Sequence, residues 1–306
     1  MRQLQNDLVE KALIKRYLVG DAIVPTWSIR LLGHEELNRA GFGSVDIPDI
    51  WWPIFISLLG APRYRLSRSK LAGRLWPDKS EKASRHCLAT ALWRITTRLP
   101  ADQNLIAFDS TVVGLQTPGS VWVDLIAFER RAKTYMGELD RLAQPSGRAR
   151  LRRALGHYRG PIMAERDLEW IAIERERLRS LYLDAMFALA SAESAAESWP
   201  AARETAQRIC AVEPLREDAQ RLLMTAHVKC GARAMALDQY QTLVKILQAE
   251  LGIQPMAQTQ RLATEIAGHA LVTPLMRPVP DRHQLLRDVR DHLNHSLELL
   301  NGFLDD

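Results

Sequence analysis

The character of the sequence changes at Asp124, and this change limits what the chain can fold into. From Asp124 onward, apolar residues recur at helical spacing, and proline or glycine interrupts the pattern at intervals. Before Asp124, short stretches of alternating polarity surround three helical segments. The sequence therefore predicts a mainly α protein with a small β component near its start. The later helical segments begin near residues 124, 147, 166, 199, 216, 233 and 256.

The elements before Asp124 follow the order of a winged helix-turn-helix unit. Residues 27–47 alternate and turn, which predicts two or three short strands. Three helices follow, and the stretch LIAFDSTVVGLQTPGSVWVDL then predicts a hairpin that would form the wing. The expected caps and ends are Asp49 and Gly60 for the first helix, Ser67 or Ser69 for the second, and Ser80 for the start of the third.

Positive charge is concentrated in the same part of the chain. The whole chain has 306 residues and a formal net charge of +5, whereas residues 63–98 alone carry 10 basic and 2 acidic groups. Residues 164–306 carry 16 basic and 21 acidic groups, which makes that half acidic. A local basic block is what a surface for nucleic acid needs, because neutralised phosphates release their counterions. Charge alone also fits a solvated pair of helices.

The third predicted helix, SEKASRHCLATALWRITTRL, has two distinct faces. Ser84, Leu88, Ala91, Leu92, Ile95 and Leu99 form a stripe suited to a core. The opposite side mixes small residues, hydroxyl groups and hydrogen-bond donors, which a helix in a major groove can use. Trp93 also fits a contact with another domain or subunit. The predicted DNA-binding residues are Lys82, Arg85, His86, Ala89, Thr90, Trp93, Arg94 and Thr97.

Five further basic residues lie in the second helix and its approach. In a winged helix-turn-helix unit this region crosses the DNA backbone, so these side chains are candidates for contacts to phosphate. The alternative is a surface charge that keeps the protein in solution. The candidates are Arg63, Arg65, Arg68, Lys70 and Arg74.

The acidic half contains a weak repeat with a period of 34 residues. Small and large apolar positions recur, as in Ala202 with Ala236 and Ile209 with Leu243. This period is typical of tetratricopeptide repeats, in which small residues let paired helices pack closely. The alternative is a helical bundle without a repeat.

These patterns divide the chain into four parts. We expect an N-terminal helical arm at 1–24, the winged helix-turn-helix domain at 25–123, a tetratricopeptide-like helical domain at 124–272, and a linker with a C-terminal helix at 273–306. Apolar residues in the last part have a three-four spacing, so we expect it to contribute to self-association.

Other classes of protein are disfavoured. Cys87, Cys210 and Cys230 are too scattered for a disulfide framework or a zinc site. Apolar runs are too short for a membrane span, and the start of the chain lacks the core of a signal peptide, so we expect a cytoplasmic protein that does not bind membranes. The sequence lacks a phosphate-binding Gly-Lys-Ser/Thr loop, a nucleophile elbow and a metal-binding histidine pair. We therefore expect no enzymatic activity, no metal and no cofactor.

Three stretches then identify a resemblance to a known family. The chain is similar to SARP-family transcriptional regulators in the third helix and in two later stretches. These stretches are YRGPIMAERDLEWIAIERERLRSLYLDA at 158–185 and PLREDAQRLLMTAHVKCGARAMALDQYQTLVKILQAELGIQP at 214–255. Regulators of this family join an OmpR-like winged helix to a bacterial transcriptional activator domain. The resemblance covers roughly residues 27–270. The chain departs from the family pattern at Thr96 and Thr97, where two basic residues are usual, and in the wing, which reads Val113-Gly114-Leu115 without the usual tyrosine.

The resemblance implies sequence-specific binding of double-stranded promoter DNA as a homodimer. It also implies activation through recruitment of RNA polymerase, with the helical domain passing on regulation by an effector of unknown identity. The alternative is a helical module for protein interaction or effector sensing that binds DNA weakly or not at all by itself. The basic block and its patterned helix favour the DNA-binding interpretation.

Overall fold

A computed structural model of the chain describes residues 26–99, 104–116 and 120–268. The predicted N-terminal arm and C-terminal segment lie outside these ranges. The described residues separate into two units, one that ends at Ala232 and one that begins at Arg233.

The described ranges form seven short strands and eleven α-helices. The strands are β1 (Trp27–Arg30), β2 (Glu36–Arg39), β3 (Gly43–Ser44), β4 (Arg65–Ser67), β5 (Ile106–Phe108), β6 (Val112–Leu115) and β7 (Val121–Val123). The helices are α1 (Trp51–Leu59), α2 (Arg68–Leu75), α3 (Glu81–Arg98), α4 (Asp124–Gly137), α5 (Asp140–Ala143), α6 (Pro145–Leu155), α7 (Glu169–Ala195), α8 (Trp199–Val212), α9 (Glu217–Lys229), α10 (Arg233–Leu251) and α11 (Ala257–Gly268).

The first sheet has the strand order β3-β2-β1-β7. β1 runs antiparallel to β2, with Trp27 opposite Arg39, and parallel to β7, with Ile29 opposite Val123. Successive side chains of a strand point to opposite faces, and Trp27 and Ile29 are accordingly buried on one face. The expected short strands over residues 27–47 are therefore confirmed, and there are three of them.

The second sheet is the wing, with the order β4-β6-β5. β5 and β6 form the antiparallel hairpin that the sequence predicts, and β4 adds a third strand beside β6. The last part of the predicted hairpin segment behaves differently. Its VWV stretch is β7, which leaves the wing and joins the first sheet beside β1.

Two of the three predicted helix caps are present in the structure. Ser67 caps α2 by accepting a hydrogen bond from the backbone N–H of Lys70, and Ser80 caps α3 by accepting one from Ala83. The prediction for Asp49 is wrong, because α1 has Ile50 at its cap position without a side-chain hydrogen bond. The carbonyl of Asp49 instead accepts from the N–H of Trp52, while its carboxylate is exposed.

One continuous core joins the two sheets, α1–α3 and the helices up to α9. All six residues of the apolar stripe predicted on α3 are buried. The apolar face of α1 packs into the same core, with the rings of Trp51 and Phe55 stacked at 4.5 Å. The winged part and the helical part up to Ala232 are therefore not independent bodies held by a linker.

Asp124 is the polar centre of the junction between these parts. Its buried carboxylate accepts hydrogen bonds from the backbone N–H groups of Leu31, Leu32 and Leu125, at 2.7–3.1 Å. Burial raises the pKa of this carboxyl to about 6, and the three N–H bonds oppose the rise. Asp124 thus ties the end of β1 to the start of α4.

A close backbone contact forms a second part of the junction. Gly33 follows β1 with a φ of +108°, and a Cβ atom placed on it would lie 3.0 Å from the Cβ of Arg159. A Cβ atom on Gly160 would lie 3.1 Å from the Cα of Gly33. Nearby, the carboxylate of Glu35 accepts a 2.8 Å hydrogen bond from the N–H of Met163. Only glycine permits so close an approach of the two loops.

The helices after Asp124 confirm the predicted helical half. Within the first unit, α8 packs against both α7 and α9. Ala202 and Ile209 of the predicted repeat are fully buried there. In the second unit α10 packs against α11, and the repeat partners Ala236 and Leu243 are also buried. The mainly α class with a small β part is confirmed, whereas the tetratricopeptide arrangement stays a prediction.

Candidate nucleic-acid interface

The outward face of α3 is open along its whole length. Every one of the eight predicted DNA-binding residues of this helix is exposed, and the indole of Trp93 is 64% exposed. The helix carries these side chains outward because its other face is fixed in the core. The structure thus brings the eight residues together on one surface.

The two arginines of this face are held differently. The guanidinium of Arg85 donates a 2.7 Å hydrogen bond to the hydroxyl of Ser69 on α2, and it forms an ion pair with Glu81 one turn earlier. Arg94 is exposed, and its guanidinium has no hydrogen bond or ion pair with the described residues. Arg85 is therefore positioned beside α2, while Arg94 is available to a partner.

The wing turn is organised by Asp109. Its carboxylate accepts hydrogen bonds from the N–H groups of Thr111 and Val112, and these bonds lower the pKa of Asp109. The guanidinium of Arg68 donates a 2.9 Å hydrogen bond to the carbonyl of Asp109 and lies 5.8 Å from the centre of the Phe108 ring. These contacts hold the tip of the wing beside the start of α2.

A pocket of about 440 Å³ opens where the start of α2, the middle of α3 and the wing turn meet. Its rim includes Ser67 and Ser69 as hydroxyl donors and Arg68 and Arg85 as cations. The hydroxyl of Thr111, also on the rim, donates a 2.8 Å hydrogen bond to the carboxylate of Asp109. The N-terminus of α2 adds the positive end of a helix dipole, which favours anions. The pocket therefore has the donors and charge to hold an oxyanion.

With one exception, the remaining candidates for phosphate contacts are open to solvent. Arg63, Arg65 and Lys70 are exposed. Gly114 lets the wing pass close to Arg65, since a Cβ at Gly114 would lie 2.8 Å from the Cγ of Arg65. This close approach gives a physical reason for the glycine in the wing.

Arg74 is the exception. Its guanidinium carbon lies 4.1 Å from the centre of the Trp170 ring on α7, and burial lowers the pKa of Arg74. Its Nε is buried without a hydrogen-bond partner among the described residues. The geometry turns Arg74 toward the helical part, so it is set apart from the other predicted phosphate contacts.

Sequence reasoning missed the hydroxyl groups that line the oxyanion pocket. The sequence offers Ser69 as an alternative cap of α2, whereas the hydroxyl of Ser69 accepts a hydrogen bond from the guanidinium of Arg85. Thr111 and the exposed ring of Phe108 belong to the wing, for which only a hairpin was predicted. The Asp-Ser-Thr run at 109–111 is a turn signal that gives the approximate place of the wing tip.

The described ranges contain neither a metal site nor a membrane-spanning helix. They contain no group of three or more His, Cys, Asp and Glu side chains that could hold a metal ion. None of the helices in those ranges is long and apolar enough to cross a membrane.

The helical part and the fold are each similar to known proteins. Residues 123–267 match the model of the bacterial transcriptional activator domain. The fold is similar to the structure of Mycobacterium tuberculosis EmbR in complex with a low-affinity phosphopeptide, with a TM-score of 0.59 and 20% sequence identity. That match covers 83% of this chain and 67% of the EmbR chain. No curated protein matches the sequence.

Proposed function

We propose that the chain is a transcriptional regulator of the SARP type, and that it binds promoter DNA through α3 and the wing. In this proposal α3 lies in the major groove and the oxyanion pocket receives a backbone phosphate. Promoter DNA lies in the cytoplasm, which is where we expect the protein to act.

One observation carries the proposal. The outward face of α3 combines three properties: exposure of all eight predicted residues, a basic character and a rigid attachment to the core on the other side. Such a helix can enter a major groove without rearrangement. The free guanidinium of Arg94 is suited to a base edge or a phosphate, and the methyl groups of Ala89 and Thr90 are suited to thymine.

The phosphate contacts follow from the oxyanion pocket. Arg68 and Arg85 line it, and each is already oriented by a hydrogen bond within the protein, so little side-chain freedom is lost on binding. The exposed Arg63, Arg65 and Lys70 add positive charge nearby. We leave Arg74 out of this set because of its contact with Trp170.

The test compares binding of the full chain to its own upstream DNA and to scrambled DNA over a salt series. We expect a specific footprint, with the logarithm of the affinity falling linearly with the logarithm of the salt concentration. Each phosphate contact contributes about 0.9 to that slope for duplex DNA. Equal, weak binding to both DNAs would instead favour a helical module for protein interaction.

Single variants distinguish a contact to the specific site from a contact to a backbone phosphate. Arg94→Ala should weaken binding to the specific site by about tenfold to a hundredfold, and Arg68→Ala should lower the salt slope by about one phosphate. Arg150→Ala is the matched control, because Arg150 is an exposed arginine on α6, away from the proposed interface. Unchanged affinity in an Arg85→Ala, Arg94→Ala double variant would contradict the proposal.

Activation by recruitment of RNA polymerase and binding as a homodimer complete the proposal. Both rest on the family and on the spacing of apolar residues in 281–306, which lies outside the described ranges. In vitro transcription with purified polymerase tests the first. Sedimentation of the chain with and without residues 281–306 tests the second, and an unchanged mass would contradict a role for this segment in self-association.

A further inference from the structure

A second pocket lies in the helical part, between the loop at 156–161 and helices α7 and α8. Its volume is about 960 Å³, near the upper end of the roughly 300–1,000 Å³ typical of sites for small molecules. The side chains that give it its character are those of Tyr158, Arg159, Arg175, Arg179, Tyr182 and Arg208.

One wall of the pocket is aromatic and firmly held. The rings of Tyr158 and Tyr182 are stacked, with centroids 4.3 Å apart and planes inclined by 16°. The buried ring of Phe128 packs behind both, at 5.6 Å from Tyr158 and 6.3 Å from Tyr182. The hydroxyl of Tyr182 accepts a 3.0 Å hydrogen bond from the guanidinium of Arg208. A planar group that enters the pocket therefore meets a rigid apolar surface.

Two of the four arginines are engaged within the protein. Arg175 donates hydrogen bonds to the carbonyls of Ile162, Met163 and Arg166, which fixes the loop before α7. Arg179 forms ion pairs with Glu213 and Glu176. These contacts account for their positions, so neither residue argues for a ligand.

The other two arginines leave positive charge without compensation. Arg159 and Arg208 are exposed at the pocket, and neither forms an ion pair with a carboxylate of the described residues. Glu176 is the only acidic residue among those that line the pocket, and Arg179 already contacts it. Two like charges without a carboxylate partner at one cavity repel each other, and a bound anion would relieve this repulsion.

We propose that this pocket binds a small organic anion with a planar ring, whose ring packs on the tyrosine wall and whose anionic oxygens accept hydrogen bonds from Arg159 and Arg208. Guanidinium groups suit carboxylate and phosphate oxygens alike. The volume of about 960 Å³ fits a small molecule. This site is separate from α3 and the wing, so its assignment goes beyond the proposed binding of DNA.

The wall of the pocket includes residues that contact the winged part, which connects the binding of a ligand to the winged part. Arg159 and Gly160 belong to its wall, and the same two residues form the close contact with Gly33 after β1. An occupant that draws Arg159 inward therefore acts on the loop that touches the DNA-binding part. Here the inference rests on the proposed function, because a regulatory effect requires that the winged part bind DNA.

The test uses the full chain without DNA, so that its failure is distinguishable from a failure to bind promoters. Calorimetric titrations use two ring-bearing anions, adenosine monophosphate and 1-anilinonaphthalene-8-sulfonate, with adenosine as the neutral ring. We expect at least one anion to bind with a Kd of about 1 mM or lower, and more tightly than adenosine. A double variant, Arg159→Gln with Arg208→Gln, should weaken that binding at least about tenfold.

The matched control is Arg130→Gln with Arg150→Gln. It removes the same charge from two exposed arginines of the helical part that do not line the pocket. Equal loss of binding in both double variants, or no saturable binding of either anion up to about 5 mM, would overturn the proposal. Binding of a polyglutamate peptide but of neither ring-bearing anion would assign the pocket to an acidic protein segment, which would also overturn it.

Discussion

The guanidinium carbon of Arg74 lies 4.1 Å from the centre of the Trp170 ring, which joins helix α2 of the winged part to helix α7 of the helical part. Arg74 is half-buried, so water screens this cation–π contact only in part. Together with Asp124 and the Gly33–Gly160 contact, it makes the position of the winged part depend on the helical part.

The Arg74–Trp170 contact should be measurable as a coupling energy. We expect Arg74→Ala and Trp170→Leu each to lower the free energy of unfolding, with a coupling of about 1–2 kcal/mol in a double-mutant cycle. Urea unfolding provides the measurement. The more widely separated pair Arg68 and Phe108, at 5.8 Å, is the control and should couple by less. Additive effects at Arg74 and Trp170 would show that the contact does not join the two parts.

The buried carboxyl of Asp124 should make stability depend on pH. Its pKa is raised to about 6 in the folded protein, against 3.8 as the ordinary value, because burial disfavours the charged form. The folded state then binds the proton more tightly than the unfolded state, so this group's contribution to the unfolding free energy is full below about pH 4. The contribution falls as the pH rises to about 6.

Asp124→Asn removes this titration. We expect the stability of the natural protein relative to the variant to fall by roughly 3 kcal/mol between pH 4 and pH 7, as measured by urea unfolding at each pH. A difference that stays constant over this range would contradict the raised pKa. A difference that grows with pH would mean that the three N–H bonds outweigh burial.

Glu193 should be a stability residue of the helical part. Its carboxylate is fully buried on α7, where it receives the guanidinium of Arg152 from α6 and a 2.8 Å hydrogen bond from the hydroxyl of Thr205 on α8. Glu193→Ala should lower the free energy of unfolding by about 1–3 kcal/mol, because it leaves the buried hydroxyl of Thr205 without its acceptor. The side chain of Arg152 is exposed, so water can solvate its charge in the variant. Glu204→Ala, at an exposed site, is the control and should change it by less than about 0.5 kcal/mol. Similar losses in the two variants would refute a special role for Glu193.

The contact of Gly33 with the loop at 159–160 predicts a steric effect. In Gly33→Ala the new methyl group would lie 3.0 Å from the Cβ of Arg159 and 3.1 Å from its carbonyl carbon. Gly41→Ala is a matched control, since Gly41 also has a positive φ but open space around it. We expect both variants to lose stability through backbone strain, of the order of 1 kcal/mol.

Gly33→Ala should lose about 1–3 kcal/mol more than the control, because the two loops must also separate. Thermal unfolding followed by circular dichroism measures both variants. If they lose the same stability, the loops do not restrain each other.

Much of the fold was predictable because it depends on local pattern. The alternation around Trp27 and Ile29 predicts strands, and the spacing of Leu88, Leu92 and Ile95 predicts the buried face of α3. The outward face of α3 follows from the same periodicity. The part of the candidate interface that lies on α3 was therefore predictable from the sequence.

What the sequence did not reveal depends on contacts between distant residues. No local signal tells that β7 leaves the wing to pair with β1, or that Arg74 meets Trp170 instead of facing solvent. Ser67 and Asp49 have similar preferences as caps, and tertiary packing decides that only Ser67 serves as one. The arginines of the second pocket come from three elements, so spacing along the chain does not show them together.

The hydrogen bonds of Asp124 bear on how this protein can be cut into fragments. A fragment that stops at Val123 retains α3, the wing and the whole first sheet. It loses the acceptor that the N–H groups of Leu31 and Leu32 use, and with it the helix that covers β7. A fragment that retains α4 through Gly137 preserves both, but it still lacks Trp170, Gly160 and Met163, which contact Arg74, Gly33 and Glu35. The junction is complete only in a fragment that also contains α7.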